Sequence, residues 1–230
     1  MKTIGMLGGM SWESTVTYYQ LINTAVKERL GGFHSAKCLL HSVDFAEIEA
    51  YQSQGDWDRA GELLGEAAAG LERAGADFLL ICTNTMHKVA PQIAGHLSIP
   101  ILHIAEATAD ELEAHGIRTV GLLGTKYTMQ QDFYKNKLLE RGVQVLTPEE
   151  GEMELINSVI FDELCKGVVS ETSKAAYLSI IARLAEHGAQ GVILGCTEIG
   201  LLVSQGDTSV PLFDTAYIHA SRAAKLALEE

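Results

Sequence analysis

Thr3-Ile4-Gly5-Met6-Leu7-Gly8 and Thr119-Val120-Gly121-Leu122-Leu123-Gly124 are two copies of one pattern, an apolar strand ending in glycine. Two further pairs recur in the same order. Gly75-Ala76 followed by Asp77–Thr83 matches Gly188-Ala189 followed by Gln190–Cys196, and Ile99-Pro100-Ile101-Leu102 matches Val210-Pro211-Leu212-Phe213. Three ordered pairs are hard to ascribe to chance, so the chain reads as an internal duplication. Between the blocks lie stretches of helical length. Ser14–Leu30 is closed by Gly31-Gly32, Trp57–Ala74 by Gly75, and Ala105–His115 by Gly116. Lys37–Val43, Pro100–Ile104, Gln144–Leu146 and Gly191–Leu194 read as further strands. Strands alternating with helices argue for parallel sheets covered on both faces. The expected fold class is α/β: two pseudo-symmetric lobes, each a four-stranded parallel sheet flanked by helices. Ligands of such sheets bind beyond the C-terminal strand ends, so the active site is expected in the cleft between the lobes.

Composition narrows the function. The chain has 230 residues, 47% hydrophobic and 20% charged, which supports a packed core and excludes a disordered chain. Its 17 basic against 30 acidic residues leave a net charge of −13, a poor match for nucleic acid or an anionic membrane surface. No apolar run approaches the ~18 residues of a spanning helix. Met1-Lys2-Thr3-Ile4-Gly5 enters a strand at once, with no signal-peptide plan. Cys38, Cys82, Cys165 and Cys196 show no CxxC spacing, and the eight histidines show no ligand-spaced pair. These features point to a reduced, cytoplasmic protein with no disulfides and no structural zinc.

Two loops carry the candidate chemistry, Cys82-Thr83-Asn84-Thr85-Met86-His87 and Gly195-Cys196-Thr197-Glu198. Each follows a strand and is expected to start a helix. Counting from the shared Gly-Ala, Thr83 is the counterpart of Cys196, and Cys82 the counterpart of Gly195. Side chains alternate along a strand, so Cys82 and Thr83 cannot both face a ligand. The duplication selects Thr83 and leaves Cys82 as a small buried apolar residue. Free N–H groups and a helix dipole at the second turn are expected to lower the Cys196 thiol pKa, although a lone strand-end cysteine also reads as packing. Gly8-Gly9-Met10-Ser11-Trp12-Glu13-Ser14 is a glycine-rich turn able to cradle a carboxylate or phosphate, or equally a tight turn with Ser11 as N-cap. It is neither a dinucleotide nor a P-loop fingerprint. Trp12, by residue type, reads as packing. His103 and Asp214 occupy equivalent positions after strands.

The duplicated pattern, with Gly8-Gly9-Met10, Asn84-Thr85-Met86-His87 and Gly195-Cys196-Thr197-Glu198, resembles the aspartate/glutamate racemase superfamily over essentially the whole chain. It looks closest to the broad-specificity amino-acid racemase branch. The resemblance implies an isomerase that works without pyridoxal phosphate, on a small-molecule amino acid. It also implies a homodimer. In that superfamily one cysteine removes the α-proton and a second returns a proton to the opposite face. Carried over residue by residue, the catalytic pair is Thr83 and Cys196. The substrate-binding set is Met10, Ser11, Trp12, Gln52, Asn84, Thr85, Lys166, Thr197 and Glu198.

The chain departs from the family pattern at Thr83, where the first cysteine is expected. A hydroxyl is a poor base but can protonate a carbanion, so the resemblance implies a bias toward L substrates. The arginine that aspartate-specific relatives use for the distal carboxylate falls on Ile48, with Gln52 the nearest uncharged donor. Lys166, matched to a family lysine, reads equally as a solvated lysine before a C-cap glycine. Aspartate, glutamate and an uncharged analogue such as homoserine are all admissible. The resemblance also folds the C-terminal helix back on the first lobe, giving lobes of 1–100 plus 211–230 and 101–210. Two other readings stay open. One is a decarboxylase or isomerase of the same superfamily, which needs only one cysteine. The other is a non-catalytic amino-acid-binding regulator.

Overall fold

The computed structural model describes residues 1–229, and the chain divides into two compact units, Met1–Ile104 with His219–Glu230, and Ala105–Ile218. The first unit opens with strand β1 (Ile4–Gly8), helix α1 (Trp12–Leu30), strand β2 (Cys38–Ser42), helices α2 (Phe45–Gln54) and α3 (Trp57–Arg73), and strand β3 (Phe78–Ile81). A 3-10 turn at Thr85–Val89 and helix α4 (Ala90–Ala94) follow, and helix α5 (Ile104–Ala114) leads into the second unit. That unit contains β4 (Thr119–Gly124), α6 (Lys126–Gln130), α7 (Asp132–Glu140), β5 (Gln144–Leu146), α8 (Glu150–Asp162) and α9 (Glu171–Glu186). It ends with β6 (Val192–Gly195), α10 (Ile199–Leu202), β7 (Leu212–Asp214) and the start of α11 (Thr215–Leu228), from which His219 onward returns to the first unit. No helix among the described residues is long and apolar enough to cross a membrane.

Both sheets are parallel, in the orders β2-β1-β3 and β5-β4-β6-β7. The duplication is visible in their registers. Leu7 pairs with Ile81 in the first sheet, and its counterpart Leu123 pairs with Leu194 in the second. One residue further on, Cys82 and Gly195 therefore stand at the same place, and so do Thr83 and Cys196.

The first sheet has three strands, not the expected four. Where β7 completes the second sheet, the first has only the bridge between Leu79 and Ile101, the counterpart of Val192 with Leu212. Leu79 N–H donates to Pro100 C=O and Leu102 N–H to Leu79 C=O, both at 2.9 Å. Neither Pro100 nor the helix start at Ile104 accounts for the difference, since Pro211 and Thr215 stand at the same places in the second sheet, where β7 still pairs over Leu212–Asp214.

Local chemistry accounts for the main helices. Ser11 caps α1, its hydroxyl accepting from Ser14 N–H, with Glu13 in the first turn and Lys27 and Arg29 in the last, as the helix dipole favours. The buried residues Ser14, Thr15, Tyr18, Ile22 and Val26 form one helical stripe. Each unit has its own apolar core. Leu7, Ile48, Leu64, Leu79 and Ile81 lie in the first, and Leu123, Ile156, Tyr177, Ile181 and Leu194 in the second. The helices predicted to follow the two loops are short. One is the 3-10 turn Thr85–Val89 and the other the single turn α10.

Candidate active site

The first loop leaves β3 with its backbone already claimed. Cys82 N–H donates to Leu7 C=O at 2.9 Å, and the Ser14 hydroxyl donates to Cys82 C=O at 3.2 Å. Cys82 is fully enclosed, while Thr83 keeps 9% of its surface exposed. Burial, with a smaller contribution from Cys38, pushes the Cys82 thiol far above the ordinary range, so it stays protonated and packs as an apolar residue. Asn84 and Thr85 are also buried. The imidazole of His87 lies 2.8 Å from Thr83 C=O.

The glycine-rich turn lies in the same unit. Gly9 has φ +92°, and a side chain there would sit 2.3 Å from the Val43 carbonyl, so only glycine fits. The Met10–Ser11 peptide is cis. Thr15 is the brace of this turn. Its hydroxyl accepts from Gly9 N–H and donates to Ser11 C=O, both at 2.9 Å. Of the residues predicted here, Met10 and Ser11 are buried, whereas Trp12 is 63% exposed on the first turn of α1.

Gln52, near the end of α2, is buried, and its side-chain N–H donates to the sulfur of Met86 at 2.8 Å, which ties α2 to the first loop. Ile48, at the position of the family arginine, is wholly enclosed in the first core and presents nothing to a ligand.

The second unit carries a different arrangement. Cys196, partly exposed, donates its thiol proton to Glu198 Oε2 at 3.0 Å. Thr197 Oγ donates to the same oxygen at 2.7 Å. Glu198 is 5% exposed. The expectation of a lowered thiol pKa does not hold. Burial first, and then the Glu198 carboxylate, push the Cys196 thiol well above its ordinary value. The helix that was to supply a dipole is the four-residue α10, too short to offset those effects. The ligand-free thiol is therefore protonated and already hydrogen-bonded to the Glu198 carboxylate. A glutamate two residues after the cysteine was the visible signal, and sequence reasoning placed it only among substrate-binding groups.

Lys166 lies apart from this loop in hydrogen-bonding terms. Its side chain is 62% exposed and pairs with Asp162 at 3.4 Å, just before Gly167, whose left-handed φ of 73° caps the turn. Among the described residues, no group of three or more His, Cys, Asp or Glu is arranged to hold a metal ion.

Comparison with known proteins places this geometry. The family model described as Asp/Glu/Hydantoin racemase matches residues 7–223. The chain belongs to the Asp/Glu/hydantoin racemase family. The broad specificity amino-acid racemase RacX of Bacillus subtilis (strain 168) is 24% identical to it over 221 residues, spanning 93% of this chain and 92% of that protein. A crystal structure of a candidate Asp/Glu racemase from Yersinia pestis is 53% identical, covers 100% of both chains and superposes with a TM-score of 0.93. An aspartate racemase homologue from Pyrococcus horikoshii OT3 is 37% identical over 100% of both chains, with a TM-score of 0.87.

Proposed function

We propose that this racemase-family protein inverts the α-carbon of aspartate, glutamate or a related polar amino acid without pyridoxal phosphate, and that it turns over L substrates faster than D. The observation that carries the reading is the Cys196–Glu198 pair at the register position that Thr83 occupies in the other unit.

In the L direction, Glu198 accepts the thiol proton and the Cys196 thiolate removes the α-proton. The C–H electron pair stays on the substrate and is spread into its carboxylate. Thr83, or a water it holds, delivers a proton to the opposite face; solvent restores the hydroxyl proton and takes up the one left on Glu198. An unactivated amino-acid α-proton is weakly acidic, so the carboxylate must be densely hydrogen-bonded as charge develops. Asn84, Thr85 and the Met10-Ser11 part of the glycine-rich turn are the donors proposed for it, joined by Thr197 once its hydroxyl leaves Glu198 Oε2. In the D direction Thr83 would have to act as the base, a role for which a hydroxyl is poorly suited. With no guanidinium at Ile48 and Lys166 held at the surface by Asp162, the distal group of the substrate need not be a carboxylate.

The test is proton NMR in deuterated water with L- and D-aspartate, glutamate and homoserine and no added cofactor. Wild type should lose the α-proton signal of an L substrate, and Cys196→Ala should not. Equal kcat and KM for the two enantiomers would refute the L bias. Exchange that survives Cys196→Ala would refute the mechanism. Release of carbon dioxide without exchange would assign the pair to a decarboxylase.

A further inference from the structure

We propose that His87 is a positioning residue for Thr83: its imidazole latches the Thr83 carbonyl to the backbone of Ile104 and so fixes the angle at which the Thr83 hydroxyl is presented. This role rests on the racemase reading above. His87 Nε2 lies 3.2 Å from Ile104 N–H, which can only donate, so Nε2 is the accepting nitrogen. The proton must then sit on Nδ1, which donates to Thr83 C=O at 2.8 Å. One neutral tautomer satisfies both bonds, and His87 is 2% exposed. Burial, helped by His103 and His219, holds it neutral.

The anchor is itself fixed. His219 Nε2–H donates to Leu102 C=O at 2.7 Å, and its Nδ1 accepts from the Tyr18 hydroxyl at 2.8 Å. The His103 ring packs on His87 at 4.6 Å between centroids, and His219 lies 5.8 Å from it. Together with the Ser14 bond to Cys82 C=O, both carbonyls flanking the Thr83 nitrogen and side chain are held by side-chain donors.

The duplication shows that this latch is not a general requirement of the fold. Counted from the same Gly-Ala, the counterpart of His87 is Gly200; counted from Pro100 and Pro211, the counterpart of His103 is Asp214. A Cβ at Gly200 would meet Asp214 Oδ2 at 2.8 Å, so the second unit has a glycine and a carboxylate where the first has two imidazoles. The Cys196 carbonyl instead accepts from Ile199 N–H at 3.1 Å, an ordinary turn bond. Among the described residues the histidine latch is found on the loop with the weaker acid, while the second unit has instead the Thr215 hydroxyl donating to Leu194 C=O at 2.8 Å.

Three substitutions separate the latch from simple packing. His87→Asn places an N–H near the Nδ1 position and can keep the Thr83 bond. His87→Gln places an acceptor near Nε2 and can keep only the Ile104 bond. His87→Leu keeps neither. For each, α-proton exchange of the L substrate in deuterated water and formation of the D enantiomer are measured together. Exchange without inversion needs only Cys196, whereas inversion also needs Thr83. The inversion-to-exchange ratio should fall about tenfold or more in the Leu and Gln variants, the scale expected of a small misplacement of a reacting group, and recover to within about threefold of wild type in Asn. If Leu fails to fold, the Asn and Gln pair still decides. An unchanged ratio in all variants, or equal loss of both rates in Asn and Gln, overturns the positioning role. Absence of both exchange and inversion in wild type overturns the racemase reading, and the positioning role with it.

Discussion

Replacing Glu198 by Gln isolates what its charge does. Glutamine keeps the size of the side chain and one oxygen that can still accept from Thr197 Oγ and Cys196 Sγ, now 2.7 and 3.0 Å away. Packing around this buried group is retained. Charge and basicity are lost. If Glu198 takes the thiol proton when the α-proton is removed, the variant loses a general base. Such a contribution is worth about 10²–10⁴ in rate. We expect exchange of the L-substrate α-proton to slow by about 10²-fold or more, roughly 2.7 kcal/mol of barrier.

The same change moves the free thiol the other way. The Cys196 thiol is raised by burial and then by the Glu198 carboxylate, so removing the carboxylate leaves burial and the smaller effect of Cys165 and lowers the thiol pKa relative to wild type. At a fixed pH below that pKa, alkylation of Cys196 should become faster. Peptide mapping by mass spectrometry distinguishes it from Cys38, Cys82 and Cys165. Slower exchange with faster alkylation is a signature that misfolding does not produce, since a disordered loop would alter the reactivity of neighbouring cysteines as well. Exchange at the wild-type rate, or alkylation slowed, would refute the proton-acceptor role.

Gly8→Ala should destabilise the first unit, because the new Cβ would fall 2.5 Å from Thr15 Cγ2 and 2.6 Å from Oγ1, displacing the hydroxyl that braces Gly9 and Ser11. Overpacking plus two strained hydrogen bonds gives a loss of about 2–5 kcal/mol, and a shift in the urea midpoint worth under about 1 kcal/mol would contradict it. His219 concerns acid sensitivity. Burial, with a smaller effect of His103, lowers its pKa to about 3, so between roughly pH 6.5 and that value the unfolded chain binds a proton that the folded chain does not. This contribution to stability is complete above the unfolded pKa and is lost as pH falls, at about 1.4 kcal/mol per pH unit. His219→Gln keeps a donor for Leu102 C=O and should show a shallower fall in stability by that one proton. Coincident slopes for variant and wild type would refute it.

The equivalence of Thr83 and Cys196 was legible because the Gly-Ala anchor and the strand lengths are the same in both halves, and the registers of Leu7 with Ile81 and Leu123 with Leu194 reproduce it. The fourth strand of the first sheet was not legible. Pro100–Ile104 has the same composition and the same following helix start as Pro211–Thr215, so comparing the two halves in sequence gives no sign that it pairs through Ile101 alone. Helix α2 was hidden for a similar reason. Only Ile48 and Gln52 of its ten residues are buried, so its pattern carries little amphipathic signal. The Cys196 pKa was misjudged because a turn after a strand was taken to begin a helix. The dipole argument fails for a single turn, while burial and a carboxylate at 3.0 Å act in the opposite sense. The histidine latch is not legible because its partners, Thr83 and Ile104, are brought together by the segment that runs parallel beside β3 at Ile101, and a lone histidine in sequence shows neither.

On the proposed mechanism, the two loops divide the requirements of proton transfer differently. A thiol has useful acidity of its own, and a neighbouring carboxylate gives its proton a destination, so the second loop depends on the chemistry of Cys196 and Glu198. A threonine hydroxyl gains almost nothing from ionisation at neutral pH. What remains to improve it as a proton donor is orientation, which in well-placed reacting groups is worth several kcal/mol of barrier. The first loop is the one whose carbonyls at Cys82 and Thr83 are both held by side chains, and whose latch is backed by His103, His219 and Tyr18. Replacing cysteine by threonine on a duplicated frame therefore shifts the demand from acidity to geometry. A thiol restored at position 83 should consequently tolerate loss of the His87 latch better than the native hydroxyl does.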